Sequence, residues 1–236
     1  MNSIGTRNEK SLHRALKLRY AASAEAVEVA RAGYICDAVG KDGEIIEIQT
    51  GSFGPLKKKL AALTRLGKVK LVYPVALSTV IELYDAGGVL QSKKKSPRKG
   101  TIWEIFRSFL HAPTLMLLPR LNIEIALVSI TEKRVDDGTG SWFRRGIRVD
   151  DRVFEAWEGA LTLTRPSDYR RFIPYDRCET FTVKELAKKA RIRETLAKKT
   201  LWVLTKAGFT ERAGKRGRAI TYRLRGSLPK KSRSPL

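Results

Sequence analysis

The chain has 236 residues, with 47 Lys and Arg against 24 Asp and Glu, a formal charge of +23 and a pI near 10.3. A hydrophobic content of 42% supplies packed cores and excludes a wholly disordered chain. A field of this sign favours polyanions, nucleic acid or anionic membrane.

Length alone suggests one large domain or two small ones. No apolar run reaches the ~20 residues of a membrane span, and the opening "MNSIGTRNEKSLHR" lacks the apolar centre of a signal peptide. The expectation is a soluble, cytoplasmic protein with no membrane partner. Cys36 and Cys178 stand far apart and form no CxxC pattern, which argues against structural zinc and a disulfide framework. From Cys178 onward there are 17 Lys and Arg against 4 Asp and Glu. The charge therefore concentrates after the Pro-containing stretch "LTRPSDYRRFIPYDRC", and a boundary is expected near residue 175.

In chain order, "NEKSLHRALKLRY" (8–20) reads as a helix, with Leu12, Leu16 and Tyr20 at helical spacing and Asn8 as its cap. Glu9 shares that apolar stripe, a costly place for a carboxylate without a partner. His13 falls near the same stripe as a core or site-wall histidine. "EAVEVARAG" continues as helix or turn to Gly33. "GYICDAVG" suits a strand with Asp37 on the face of Ile35 and Val39, and "KDG" turns it into a returning strand "EIIEIQT". Period two puts Glu47 and Gln49 on one face with Ile45, and Ile46 and Ile48 on the other. The hairpin can thus set Asp37 beside Glu47. "LKKKLAALTRLG" is an amphipathic helix with Leu56, Leu60 and Leu63 opposite Lys57, Lys58, Lys59 and Arg65, ended by Gly67. The strand "KVKLVYPVA" follows, and the crossover helix implies a parallel pair.

An inward Glu, then Asp, then Glu-x-Gln in that element order resembles the restriction-endonuclease-like, PD-(D/E)XK, nuclease superfamily over residues 5–80. The resemblance implies an α/β fold with a mixed sheet flanked by helices. It also implies Asp37 and Glu47 as ligands of a divalent cation, Mg²⁺ or Mn²⁺, with Glu9 as supporting carboxylate. Gln49 stands where the superfamily usually has Lys; an amide can orient a water but brings no positive charge, which Lys57 or Lys59 would have to supply. The chemistry suits the residue types, because a hard cation that activates water and stabilises a phosphorane prefers carboxylate oxygen.

Further along, "STVIELYDAGGVL" suggests a strand and tight turn, and "QSKKKSPRKGT" (91–101) an exposed basic loop. "TIWEIFRSFLHA" carries Ile102, Ile105, Phe106 and Phe109 at helical spacing, and "LNIEIALVSITEKRVD" and "RGIRVDDRVFEAW" are expected to pair as long strands. "GTGSW" between them reads as a hairpin turn. Trp103, Trp142 and Trp157 are read as packing anchors. There is no Walker A, HExxH or GxSxG sequence.

"TVKELAKKA" opens with a capping box, Thr182 and Glu185, and leads through "RIRE" into "TLAKKTLWVLTKAG", stopped by Gly208. Two short strands follow around a basic, Gly-containing turn. With Leu201, Leu204, Gly208, Phe209 and Tyr222, this resembles a winged helix-turn-helix domain over residues 180–225; residues 152–163 would have to provide its first helix. The resemblance implies duplex DNA as partner, with Lys198, Lys199 and Lys206 on the groove-facing helix, Arg191 and Arg193 at its start, and Lys215, Arg216 and Arg218 on the wing.

The expected organisation is a nuclease-like domain with an extension over 1–174, a winged-helix α+β domain over 175–226 and a basic disordered tail over 227–236. The expected activity is metal-dependent hydrolysis of DNA phosphodiester bonds. The rival is a non-catalytic DNA-binding or regulatory protein on the same scaffold, with an RNA-processing factor third and a homodimer left open.

Overall fold

The protein is described over residues 10–232 by a computed structural model. Three short strands, β1 (Val27–Arg31), β2 (Tyr34–Val39) and β3 (Ile45–Ile48), form an antiparallel meander. The next strand, β4 (Val69–Asp85), runs parallel to β3, so the chain must cross over between them, and α2 (Lys57–Leu66) makes that crossing. β4 is parallel to β6 (Leu121–Asp136), which pairs antiparallel with β7 (Ile147–Leu163). The result is one mixed, seven-stranded sheet in the order β1-β2-β3-β4-β6-β7, with β5 (Leu90–Lys95) folded back on the distal half of β4. The fold is α/β, a large mixed sheet flanked by helices.

The alternation of side chains in β3 decides which helix covers which face. Ile46 and Ile48 join Leu12 and Leu16 of α1 (Ser11–Tyr20), together with Ala38, Val72, Ala126 and Val128. Ile45 turns the other way, to Leu60 and Leu63 of α2 and to an aromatic group that includes Phe53, Trp103, Phe106, Phe109 and Phe172. Edge-to-face packing ties that group together, with Phe53–Phe109 centroids at 4.9 Å and Phe106–Phe172 at 4.8 Å.

The C-terminal unit comprises β8 (Phe181–Thr182), α4 (Val183–Ala190), α5 (Glu194–Lys206), β9 (Thr210–Arg216) and β10 (Ala219–Leu224), its small sheet ordered β8-β10-β9. The capping box closes as its sequence predicts: Thr182 Oγ1 accepts from Glu185 N–H at 3.2 Å and Glu185 Oε2 accepts from Thr182 N–H at 2.8 Å. Leu196, Leu201 and Leu204 of α5 join the same hydrophobic cluster as Phe106, which lies in α3 (Ile105–Ser108). Tyr169 packs on Phe209 at 5.3 Å. Of the basic tail, Lys231 Nζ donates to Leu121 O at 2.7 Å and Ser232 N–H to Leu117 O at 2.9 Å.

Several local expectations are corrected by pairing at a distance. The expected cap Asn8 lies outside the described residues; the helix begins at Ser11, whose N–H donates to Asp151 Oδ1 of β7 at 3.0 Å. The stretch read as helix or turn up to Gly33 gives one 3₁₀ turn at 24–26 and then β1, whose partners on β2 outweigh its Ala and Glu content. Residues 91–95 of the basic segment are strand rather than loop, because they pair antiparallel with β4, where Glu82 lies 2.9 Å from Lys93. Residues 152–163 are strand β7, not a first helix for the C-terminal unit, since β6 pairs with them to Leu163. The helix expected around Phe106 is a single turn between 3₁₀ turns. No helix among the described residues is long and apolar enough to cross a membrane.

Phe106 sits fully buried where both sheet and α5 converge. Phe106→Ala is expected to cost about 3–5 kcal/mol, read as a lower midpoint in urea unfolding with an unchanged slope.

Candidate active site and nucleic-acid interface

The cluster starts from β3. Ile45 faces α2, so Glu47 two residues on does the same, and the residue is 2% exposed. An anion so placed needs a cation. α2 supplies Lys59, whose Nζ lies 2.7 Å from Glu47 Oε2 and also donates to Ile35 O at 2.7 Å. Oε1 of Glu47 is buried and accepts no hydrogen bond among the described residues. Burial pushes the Glu47 carboxyl up; the Lys59 hydrogen bond and charge pull it down, while the Asp37 charge adds to the rise, leaving it at about 7. The neighbouring Cys36 thiol is raised to about 11, by burial first and then by the Glu47 charge.

Asp37 lies one step beyond the Ala38–Ile46 pair of the β2–β3 ladder, next to Glu47, but its carboxylate is committed to α1. Oδ2 is 3.3 Å from His13 Nε2 and accepts Ile48 N–H at 2.7 Å, and Oδ1 is 3.6 Å from Lys17 Nζ. Burial works to raise its pKa, but the bonds and charges of His13, Ile48 and Lys17 outweigh it and the carboxyl stays below its ordinary range. Lys17 is itself buried and also pairs with Glu28 at 3.0 Å, a residue in the left-handed region at φ 55° that kinks β1 opposite Asp37. The two carboxylates therefore sit on adjacent strands, within electrostatic reach, each held by the cations of a different helix.

Gln49 follows Glu47 at the end of β3. Its Nε2 donates to Ser52 O at 3.0 Å and its N–H to Val72 O at 2.9 Å. The amide thereby shapes the "TGSF" turn and delivers Phe53 to the aromatic core. Glu9 lies outside the described residues. Among the described residues no group of three or more His, Cys, Asp and Glu side chains is placed to hold a metal ion.

Beyond the carboxylates, two clefts carry arginines, of which the sequence singles out Arg191 and Arg193 but not Arg107, Arg134, Arg144 and Arg152. One, of about 300 Å³, is lined by Thr50 just past β3, by Leu12, and by Arg98, Arg134, Arg144 and Arg152 with Glu104 and Glu132. Glu132 holds Arg134 at 2.7 Å and Arg152 at 3.0 Å, and its carboxyl is kept low: burial opposes, but both arginines prevail. The other, of about 350 Å³, shares Arg98 and Glu104 and adds Lys99, Arg107, Arg191 and Arg193 at the α4–α5 turn. The signal for both was the "SPRKG" segment, pinned to β4 by Gly100 N–H on Ala76 O at 2.9 Å. A Cβ at Gly100 would meet that carbonyl oxygen at 2.3 Å, so only glycine lets the segment lie so close.

On α5, Lys198, Lys206 and Trp202 are exposed along one stripe and Lys199 is half-buried, while Leu196, Leu201 and Leu204 face inward. Arg191, Arg193, Lys215 and Arg218 are exposed as well. Arg216 is engaged: it donates to Glu185 Oε1 at 2.6 Å and to Thr180 O at 3.2 Å, fastening the β9–β10 turn to the start of α4. Of the tryptophans read as anchors, Trp103 is buried and Trp157 packs against Tyr20, but Trp142 is 85% exposed on the β6–β7 connection.

Glu47 is the group whose titration the geometry controls. In the protein its carboxyl is expected to titrate near 7 by side-chain ¹³C NMR, and Lys59→Met is expected to move it higher still. Because the folded-state value lies above the ordinary one of 4.5, this group's contribution to stability falls as pH rises from there through 7, and Glu47→Gln should remove that decline from a series of thermal unfolding curves.

Comparison with known proteins gives relatives but no activity. No solved structure matches the chain. An uncharacterized protein of Treponema pallidum (strain Nichols) is 33% identical over 154 residues, covering 65% of this chain and 61% of that protein, so the chain spans about three fifths of that relative's length. A family pattern described as a domain of unknown function matches residues 10–164, which take in α1 to β7 and the paired carboxylates but stop short of α4 and α5. The chain belongs to that family, DUF8091.

Proposed function

We propose that the protein is a metal-dependent DNA endonuclease of the restriction-endonuclease-like kind, held on duplex DNA by a winged-helix unit at its C-terminal end. The observation that carries the reading is the pairing of Asp37 and Glu47 on adjacent strands, with a crossover-helix lysine on Glu47 and one Glu47 oxygen left without a hydrogen bond among the described residues. The arrangement α1, three antiparallel strands, α2 and a parallel β4 supports the fold assignment. β8, α4, α5 and the β9–β10 hairpin support the winged unit, in which β7 stands where a first helix was expected.

The donor set suits Mg²⁺ or Mn²⁺. Both carboxylates are hard oxygen donors, Oε1 of Glu47 is unsatisfied, and Mg²⁺ characteristically takes one or two protein carboxylates and fills its shell with water and phosphate oxygen. A bound ion would supply an activated water and neutralise charge on the phosphorane. Asp37 and Glu47 would hold it, which requires the Asp37 carboxylate to leave His13 and Lys17 on the α1 side of the sheet. Lys59, 2.7 Å from Glu47, would offer its ammonium to the phosphate in place of the lysine that Gln49 replaces. Gln49, spent on Ser52, would fix the turn rather than act on water. The lysine stripe of α5 and the basic β9–β10 turn would grip the phosphates of the duplex.

A second reading, a DNA-binding protein without chemistry, is favoured by one observation: Asp37 already has His13, Lys17 and the Ile48 amide as partners. Plasmid incubated with the protein and Mg²⁺ or Mn²⁺ separates the two. Nicking is expected, and Asp37→Asn or Glu47→Gln should reduce it at least a hundredfold while leaving duplex affinity within about twofold; binding with no cleavage under either metal rejects the nuclease. Replacing Lys198, Lys199 and Lys206 by Ala should weaken binding uniformly across sequences. The plot of log affinity against log salt should also flatten, by about 0.9 for each phosphate the variant no longer neutralises.

A further inference from the structure

The connection between β6 and β7 presents "GTGSWFRRG" (138–146), and its centre is a single 3₁₀ turn, Trp142–Arg144. Trp142 and Phe143 are 85% and 89% exposed, the most exposed large hydrophobic side chains among the described residues, and they pack on each other edge to face at 5.3 Å. The turn beneath them is built, not slack. Gly140 N–H donates to Gly146 O at 2.7 Å, Arg144 N–H to Ser141 O at 2.8 Å and Arg145 N–H to Trp142 O at 2.9 Å. A Cβ at Gly140 would strike the Ile147 carbonyl carbon at 2.1 Å, so the neck closes only on glycine. Asp137 is tied to Thr139 and Arg148, which leaves the tip itself with two arginines and no acid.

An aromatic pair on a braced turn, flanked by Arg144 and Arg145 in a chain of charge +23, calls for a partner with apolar faces between anionic ones. Duplex DNA has that pattern, in stacked bases edged by phosphate. Arg144 also lines the cleft that reaches Thr50, just past the carboxylate-bearing strand.

We propose that Trp142 and Phe143 form a wedge that enters a base step of duplex DNA, with Arg144 and Arg145 on the flanking phosphates. The wedge rests on the DNA-binding half of the function proposed above and is independent of cleavage.

The test uses the full chain in EDTA, so that cutting plays no part, with duplexes carrying 2-aminopurine at successive steps. The wild type should raise 2-aminopurine fluorescence at the entered step. The double variant Trp142→Ala/Phe143→Ala should lose that rise and bind about tenfold or more weakly, with an unchanged salt slope. Arg144→Ala/Arg145→Ala should instead lower the slope by about 1–2. Both pairs are solvent-facing, and unchanged thermal unfolding confirms that each variant is folded. Wild-type binding that the aromatic variant reproduces in full overturns the wedge alone. So does a silent fluorophore accompanied by Trp142-dependent sedimentation with phosphatidylserine vesicles, which assigns the tip to a membrane surface. Failure of the wild type to bind any duplex overturns the wedge together with the DNA-binding reading.

Discussion

A carboxylate taken out of water in the middle of a strand must be compensated or stay protonated, and Glu47 is placed under that constraint. Its compensation comes from Lys59, available only because the chain crosses over from β3 to β4 on that side of the sheet. The parallel pairing that demands a crossover is therefore also what delivers the cation. On the opposite face α1 plays the same part for Asp37 through His13 and Lys17. Since the Asp37 charge still raises the Glu47 carboxyl, the two helices hold apart, electrically, a pair that the strands bring together. A cation that displaced the lysines would relieve both the mutual repulsion and the unsatisfied Oε1.

Much of this frame is written locally. The alternation in "EIIEIQT" sorts Ile45 and Glu47 from Ile46 and Ile48, and the register confirms it. The leucine stripe of α2 and the Thr182–Glu185 box mark helices where helices occur. What escaped is what depends on partners far along the chain. The sequence leaves Lys57 and Lys59 as equal candidates; only the packing of α2 selects Lys59. The Lys-rich run at 93–95 reads as loop until Glu82 lies opposite it. Glu28 on the neighbouring strand, which shares Lys17 with Asp37, takes a left-handed conformation that Glu does not announce. The exposure of Trp142 is likewise unreadable, because an aromatic residue between glycines suits a core corner as well as a bare tip.

The positive charge is divided between two kinds of site, and the division bears on how such a chain would hold a polyanion. In the clefts beside the sheet, Arg134 and Arg152 share Glu132, while Arg98 and Arg107 share Glu104. Pairing lowers their net field but fixes the guanidinium planes, so these groups contribute direction more than attraction. On α5 and the β9–β10 turn, Lys198, Lys206, Lys215 and Arg218 face solvent with no ion-pair partner at salt-bridge distance among the described residues, and they add uncompensated charge to the long-range field. Arg98 belongs to both clefts and lies on the segment pinned by Gly100, so the oriented arginines run from the end of β3 to the start of α5. A polyanion drawn in by the C-terminal lysines would thus meet a graded path, screened attraction first and fixed geometry afterwards.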